Sequence, residues 1–189
     1  MSEYYRYLNI QNTFFDKEVL VKKYILEDVN KNKQWRIEGK DLSIINDTWF
    51  KQNGCTIQVA ELFYTAPQSK IKWHIDISGY SPLFDYVKIN FVWGTDDSHY
   101  MQWGKIIDQN CDSKIGYNTA GSPHMIFDPS QIEIHESVII DKPILVNVGV
   151  PHRAVNDSDL GRWCISLIPK KNNERIAWNQ AIEIFHEYL

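Results

Sequence analysis

His74 and Asp76 are the residues from which chemistry can be read first. They sit two apart in Lys72-Trp73-His74-Ile75-Asp76, inside a run of strand-forming residues. Side chains on a strand alternate between faces, so the imidazole and the carboxylate point the same way while Ile71, Trp73 and Ile75 point the other. That is the pattern of a metal-ligating strand with an apolar back. A chain with six His in 189 residues contains roughly 0.4 His-x-Asp pairs by chance, so the pair needs partners. His152 supplies a second imidazole, and Arg162 follows it by ten positions. Two imidazoles and one carboxylate can hold a metal on one face and leave its other positions open, the arrangement of non-haem Fe(II) oxygenases. A guanidinium nearby can grip the far carboxylate of a dicarboxylic cosubstrate through paired charge-assisted hydrogen bonds.

The elements that must position these groups are strands. From Thr56 onward, short β-rich runs alternate with turn residues: 57–64, 71–77, 87–93 (with Val87, Ile89, Phe91 and Trp93 sharing a face), 100–107, 125–127, 132–140, 144–150 and 163–168. Such spacing predicts an all-β sandwich or barrel. Pro169 is expected to end the last strand. The runs on either side of Asn156-Asp157-Ser158-Asp159-Leu160-Gly161 are expected to form a hairpin, since a loop that short favours antiparallel neighbours. His152 and Arg162 would then share a face only in a register pairing even-numbered with even-numbered residues, such as Ala154 opposite Arg162. Before the β region, 13–29 has helical spacing with Thr13 and Asp16 at its start, and 34–54 reads as a strand or a short helix. Residues 174–188 close the chain as an amphipathic helix. Segments 78–86 and 108–124 read as loops, candidates for a cover over a substrate.

Composition sets the outer bounds. A length of 189 residues suits one domain with a full core. It is divided here into a helical N-terminal region (1–54), a β core (55–170) and a C-terminal helix (171–189). The hydrophobic share of 43% is that of a globular protein, with no apolar run long enough to span a bilayer and no signal-peptide pattern at the start. Three widely spaced cysteines (Cys55, Cys111 and Cys164) read as reduced thiols, and a cytoplasmic location is expected. A net charge of −4 tells against nucleic acid as the main partner. His99, His124 and His135 sit beside turns or on strand edges and are expected in solvent, with His186 on the final helix. Arg153 is expected to face away from the metal. The tryptophans are read first as core, while Tyr80 and Tyr117 could line a cleft.

With His74-Ile75-Asp76, His152 and Arg162 in this order, the sequence resembles the 2-oxoglutarate- and Fe(II)-dependent dioxygenase superfamily over residues 55–170. The run Pro143–His152 looks like the distal-histidine strand of small phage and bacterial members. The resemblance implies a mainly β fold with flanking helices, a double-stranded β-helix (jelly roll, cupin-like). It implies Fe(II) held by His74, Asp76 and His152, and the C5 carboxylate of 2-oxoglutarate held by Arg162. The implied activity is O₂-dependent hydroxylation of an unactivated C–H bond with release of succinate and CO₂. The expected substrate is a peptide side chain or small molecule rather than nucleic acid. Tyr64 and Asn90 correspond more loosely to positions near the cosubstrate. Cys164 stands where many members carry Ser or Thr, with Ser166 two residues on along the same face. Two alternatives stay open: a cupin-type metalloenzyme without 2-oxoglutarate, and a non-catalytic jelly-roll binding module.

Overall fold

A computed structural model describes residues 2–11, 14–77, 86–94, 96–108 and 112–189. Its strands are β1 (Tyr5–Tyr7), β2 (Lys33–Glu38), β3 (Thr56–Thr65), β4 (Ser69–Lys70), β5 (His74–Asp76), β6 (Val87–Trp93), β7 (His99–Ile106), β8 (Ser113–Tyr117), β9 (Pro123–Phe127), β10 (Ile132–Val138), β11 (Ile144–Asn147), β12 (His152–Asn156), β13 (Arg162–Lys171) and β14 (Glu174–Arg175). Three short helices accompany them: α1 (Lys17–Lys23), α2 (Thr48–Gln52) and α3 (Trp178–Ile184).

The strands form two antiparallel sheets. One runs β1-β11-β6-β13-β3-β2 with β14 beside β13, the other β10-β7-β12-β5-β9-β8 with β4 beside β12. Setting aside edge additions, the eight central strands are β3, β5, β6, β7, β10, β11, β12 and β13. Taken as first to eighth in chain order, they lie as 6-3-8-1 in one sheet and 5-4-7-2 in the other. This interleaving is a jelly roll, or double-stranded β-helix. Among the described residues no helix is long and apolar enough to cross a membrane.

The distribution of apolar residues decides where the site can be. On β6 and β13 the odd-numbered residues Ile89, Phe91, Trp163, Ile165 and Leu167 belong to a large core cluster. That cluster also holds Phe14, Leu20, Phe50, Ala181 and Phe185 from the helical segments, so it covers the outer face of the first sheet. The even-numbered residues of the same strands, among them Lys88, Asn90, Arg162, Cys164 and Ser166, line the cavity between the sheets. The sandwich interior is apolar at its other end, where Met101, Trp103, Ile140, Ile144, Val146 and Val148 pack together. Trp73, Ile75, Ile77, Phe127 and Ile132 form a third cluster behind β5.

Several expectations are corrected. The helix expected over 13–29 is only α1: Asp16 caps it by accepting from the Glu18 and Val19 amides, and the turn closes at Tyr24. Beyond it the Val29 carbonyl accepts from the Tyr64 hydroxyl, while Ile25 and Val29 are exposed, so the helical spacing there buries nothing. The N-terminal region is not simply helical, because β1 and β2 extend the first sheet. Segment 108–124 contains β8 and the start of β9 rather than a plain loop; Cys111 lies outside the described residues, as do Thr13, Tyr80 and nearly all of 78–86. Pro169 does not end β13 but sits at a register shift beside Ile168, where a bulge accommodates a residue without an N–H. The closing helix starts only at Trp178, after β14 pairs with the tail of β13.

The expected hairpin is also absent. β12 pairs with β7, β5 and β4, whereas β13 pairs with β3, β6 and β14. In a jelly roll these consecutive strands belong to opposite sheets, and residues 157–161 carry the chain across the sandwich.

Candidate metal and cosubstrate site

The metal-binding group is assembled by register. β5 lies between β12 and β9, with His74 directly opposite His152 and Asp76 opposite His124. The His74 and His152 ring centroids are 4.3 Å apart. Asp76, two residues along the same face, brings Oδ1 to 3.7 Å from His74 Nε2. The ligand atoms of His74, Asp76 and His152 all fall within 4.8 Å of one another. Donors about 2.1 Å from one octahedral ion stand about 3 Å apart when adjacent, so small side-chain adjustments close the group on a metal.

Backbone carbonyls set the tautomers. His74 Nδ1 lies 2.8 Å from the Lys72 carbonyl, and His152 Nδ1 lies 2.9 Å from the Val150 carbonyl. A carbonyl only accepts, so Nδ1 carries the proton on each ring and Nε2 keeps its lone pair for a metal. Burial lowers both imidazole pKa values, His152 to about 3 with His74 adding to the effect. The rings are therefore neutral and competent to ligate at ordinary pH.

Asp76 is ionised for a different reason. Burial opposes its charge, but Lys88 and the two imidazoles hold the carboxyl well below the usual range. Lys88 Nζ lies 2.5 Å from Asp76 Oδ2 and 2.6 Å from Glu61 Oε2. Burial likewise opposes the ammonium charge, and the two carboxylates more than restore it. Glu61 Oε1 accepts from Ser122 Oγ at 2.5 Å, on the turn between β8 and β9. Lys88 thus occupies the outer oxygen of Asp76 and leaves Oδ1 facing the imidazoles. Neither Lys88 nor Glu61 was singled out as a site residue from sequence. The available signal was the alternation on β6, which puts Lys88 on the same face as Asn90.

Arg162 enters from the opposite sheet. It opens β13 opposite Thr65, is 2% exposed and lines the same cavity as the metal-binding group. Its Nε has no hydrogen-bond partner, and among the described residues no carboxylate pairs with it. Burial lowers its pKa, with Cys164 offsetting only part of this. A buried guanidinium without a counter-charge costs several kcal/mol and marks a place for an anion.

The looser candidates separate. Asn90 and Ser166 face each other across β6 and β13, Ser166 Oγ donating to Asn90 Oδ1 at 2.7 Å, and both line the cavity. Tyr64 is also among the residues lining the cavity, but its phenol is engaged elsewhere. Register sets it opposite Trp163 rather than Arg162, its ring packs on that indole, and its hydroxyl donates to Val29. A Cβ on Gly161 would meet that hydroxyl at 2.0 Å, so glycine is what lets the crossing chain pass over the ring. His124, expected in solvent, lines the cavity and stands edge-on to His74. His99 is buried, with Nδ1 against the Asp96 carbonyl and Nε2 3.2 Å from the Ile140 carbonyl. Arg153 turns to the far side of the sheet, over Trp73 and bonded to Gln102. The cavity that holds the metal-binding group and Arg162 has a volume of about 490 Å³.

No protein-family model and no curated protein sequence matches the chain. Among solved structures it is similar to oxalate oxidase in complex with the substrate analogue glycolate, with TM-score 0.40 and 11% identity over 80% of this chain and 57% of that one. It is also similar to EvdO2 from Micromonospora carbonacea var. aurantiaca, with TM-score 0.33 and 11% identity over 71% of this chain and 61% of that one. The same protein complexed with 2-oxoglutarate gives TM-score 0.36 and 10% identity over 78% and 72%. The chain thus spans about three fifths of the first two. These distant likenesses assign it no activity, and the jelly-roll reading rests on its own strand order.

Proposed function

We propose that this chain is an Fe(II)- and 2-oxoglutarate-dependent oxygenase that hydroxylates a C–H bond of its substrate. The observation that carries the reading is Arg162: a buried guanidinium that pairs with no carboxylate among the described residues, in the cavity that also holds the His74, Asp76 and His152 ligand group. A cupin-type metalloenzyme with neither an anionic substrate nor an acidic cosubstrate would leave this charge without a partner. Charge balance supports the same conclusion. Lys88 and Arg162 against Asp76 and Glu61 make the buried cluster neutral. A divalent ion together with a dianionic cosubstrate preserves that neutrality, whereas the ion alone adds two positive charges to a buried site.

His74, Asp76 and His152 would hold the iron, whose open positions supply O₂ activation with 2-oxoglutarate as the electron donor. The chain's own contribution is placement. The Lys72 and Val150 carbonyls orient the imidazoles, Lys88 fixes the outer oxygen of Asp76, and Arg162 receives the distal carboxylate of the cosubstrate. Asn90 and Ser166 provide polar groups along the wall between them, and the surrounding sheets restrict water.

Anaerobic loading with Fe(II), followed by addition of O₂ and 2-oxoglutarate, is expected to give succinate. Arg162→Gln is expected to weaken 2-oxoglutarate binding by about a hundredfold, the scale of a charge-assisted bidentate contact, while still taking up metal. No metal uptake by the wild-type chain, or uptake indifferent to His74→Ala and His152→Ala, would refute the assignment. Metal uptake with 2-oxoglutarate affinity unchanged in Arg162→Gln would move it to the cupin class without this cosubstrate.

A further inference from the structure

The sandwich is tied shut along one side and open along the other. On the closed side β1 and β10 are the edge strands, and side chains join them. Ser2 Oγ donates to Glu136 Oε2 at 2.6 Å, and the Tyr4 hydroxyl lies 3.1 Å from His135 Nδ1. On the open side the edges are β2 and β8. There the cavity lining comes from Gln34 on β2 and from Tyr117, Asn118 and Thr119 at the end of β8 and in the turn beyond it. Tyr117 and Thr119 are exposed, whereas Arg162, Cys164 and Ser166 deeper in the same lining are buried. The way into the cavity therefore runs between β2 and the β8–β9 turn.

Among the described residues two hydrogen bonds span this gap. Ser122 Oγ donates to Glu61 Oε1 at 2.5 Å, and Thr119 Oγ1 donates to the Gln34 carbonyl at 3.4 Å. The turn that carries both donors is held together by its own bonds. Asn118 Oδ1 accepts from the Ala120 and Ser122 amides at 3.1 and 2.8 Å. The Asn118 amide donates to the Ser122 carbonyl at 3.1 Å, and the Gly121 amide to the Asn118 carbonyl at 2.9 Å. The turn can thus move as a unit, with the two bonds across the gap as its ties to the facing sheet. β8 adds little resistance, because it pairs with β9 alone and its Ile115 and Tyr117 are exposed. Opening also strands no buried charge. Glu61 has Lys88 as a second partner at 2.6 Å, and water can reach the oxygen that Ser122 leaves.

We propose that residues 118–122 form a gate over the cavity, latched to the facing sheet by Ser122 on Glu61 and by Thr119 on Gln34. The gate opens to admit the substrate and closes to exclude water. It follows from the shape of the sandwich and is independent of which metal or cosubstrate the cavity takes.

Cys164 makes the gate measurable. Register lays Gln34, Phe63 and Cys164 in one row across β2, β3 and β13, so the thiol sits two strands in from the open edge. It lines the cavity and is 3% exposed. The test labels the full metal-free chain slowly with iodoacetamide and follows each cysteine by peptide-resolved mass spectrometry. Where the gate recloses faster than the reagent reacts, the Cys164 rate follows the open population. Ser122→Ala removes a bond to a charged acceptor and is expected to speed Cys164 labelling at least about tenfold. Thr119→Val should speed it about twofold, and Thr119→Ser should stay near the wild-type rate. Cys55, packed in the main core, should keep its wild-type rate in all three variants. A Cys164 rate unchanged in Ser122→Ala, or in Thr119→Val should the first variant not fold, overturns the proposal. So does an equal rise at Cys55, which would mean that the whole sandwich opens rather than the turn.

Discussion

At the residue scale the site is a set of groups that satisfy one another except where a ligand is due. Lys88 is the least obvious and the most constrained of them, holding two buried carboxylates at once. Replacing it with methionine leaves Asp76 and Glu61 facing each other without a cation. Loss of one partner from a buried ion cluster costs about 3–5 kcal/mol. Urea unfolding of metal-free Lys88→Met should show a loss of that order, and adding Glu61→Gln should recover part of it. A loss of under about 1 kcal/mol would mean the cluster is screened by solvent and that Asp76 is positioned by something else. His74, Asp76, His152 and Arg162 were legible from sequence because their types and order form a pattern that ordinary packing has no reason to produce. Lys88 and Glu61 were not, since a lone lysine or glutamate on an alternating strand reads as a solvent-facing position.

At the element scale the same alternation explains both the success and the miss. The apolar stripe Val87, Ile89, Phe91 and Trp93 was visible in sequence, but alternation does not say whether the apolar face meets the other sheet or a layer of helices. Here the terminal segments cover it: Phe14 packs on Phe91, and Phe15 on Phe91 and Trp93. The polar face is thereby left to the cavity. The chain's crossing from β12 to β13 was hidden for a similar reason, because a five-residue connection serves a hairpin and a sheet change equally well. Asn156 marks the change. It is fully buried, and its Nδ2 donates to the carbonyls of Thr65, Ala66 and Leu160 at 3.2, 3.0 and 2.8 Å. It therefore ties the crossing to the end of β3 just before Arg162. Asn156→Ala is expected to cost about 1–3 kcal/mol through buried carbonyls left without a donor. Because Arg162 hangs from that crossing, it should also raise the KM for 2-oxoglutarate more than it lowers kcat. An equal fall in both would place the residue's influence on the metal side.

At the scale of the whole molecule, two facing sheets each bring half of the site, and closing them buries ionisable groups that the unfolded chain exposes. The sign of the resulting pH dependence follows from the imidazoles. His152 has a folded pKa of about 3, against about 6.5 for an unfolded histidine, and His74 is shifted in the same direction. Between these values the unfolded chain binds protons that the folded chain refuses, so stability is lost as pH falls below about 6.5, by up to about 1.4 kcal/mol per pH unit per imidazole. The urea midpoint of the metal-free protein should therefore decline from pH 7 to pH 4.5, and His152→Gln should flatten the decline. The same burial has a consequence for the metal. On the folded chain His152 meets no competing proton until far into acid, and Asp76 is already ionised. Mn(II) affinity should then change little between pH 7.5 and pH 6, whereas ligands of ordinary imidazole basicity would lose affinity progressively on passing below their pKa. A steep loss across that interval would show that the two rings are solvated before metal enters, and that the sheets close around the site only when it is filled.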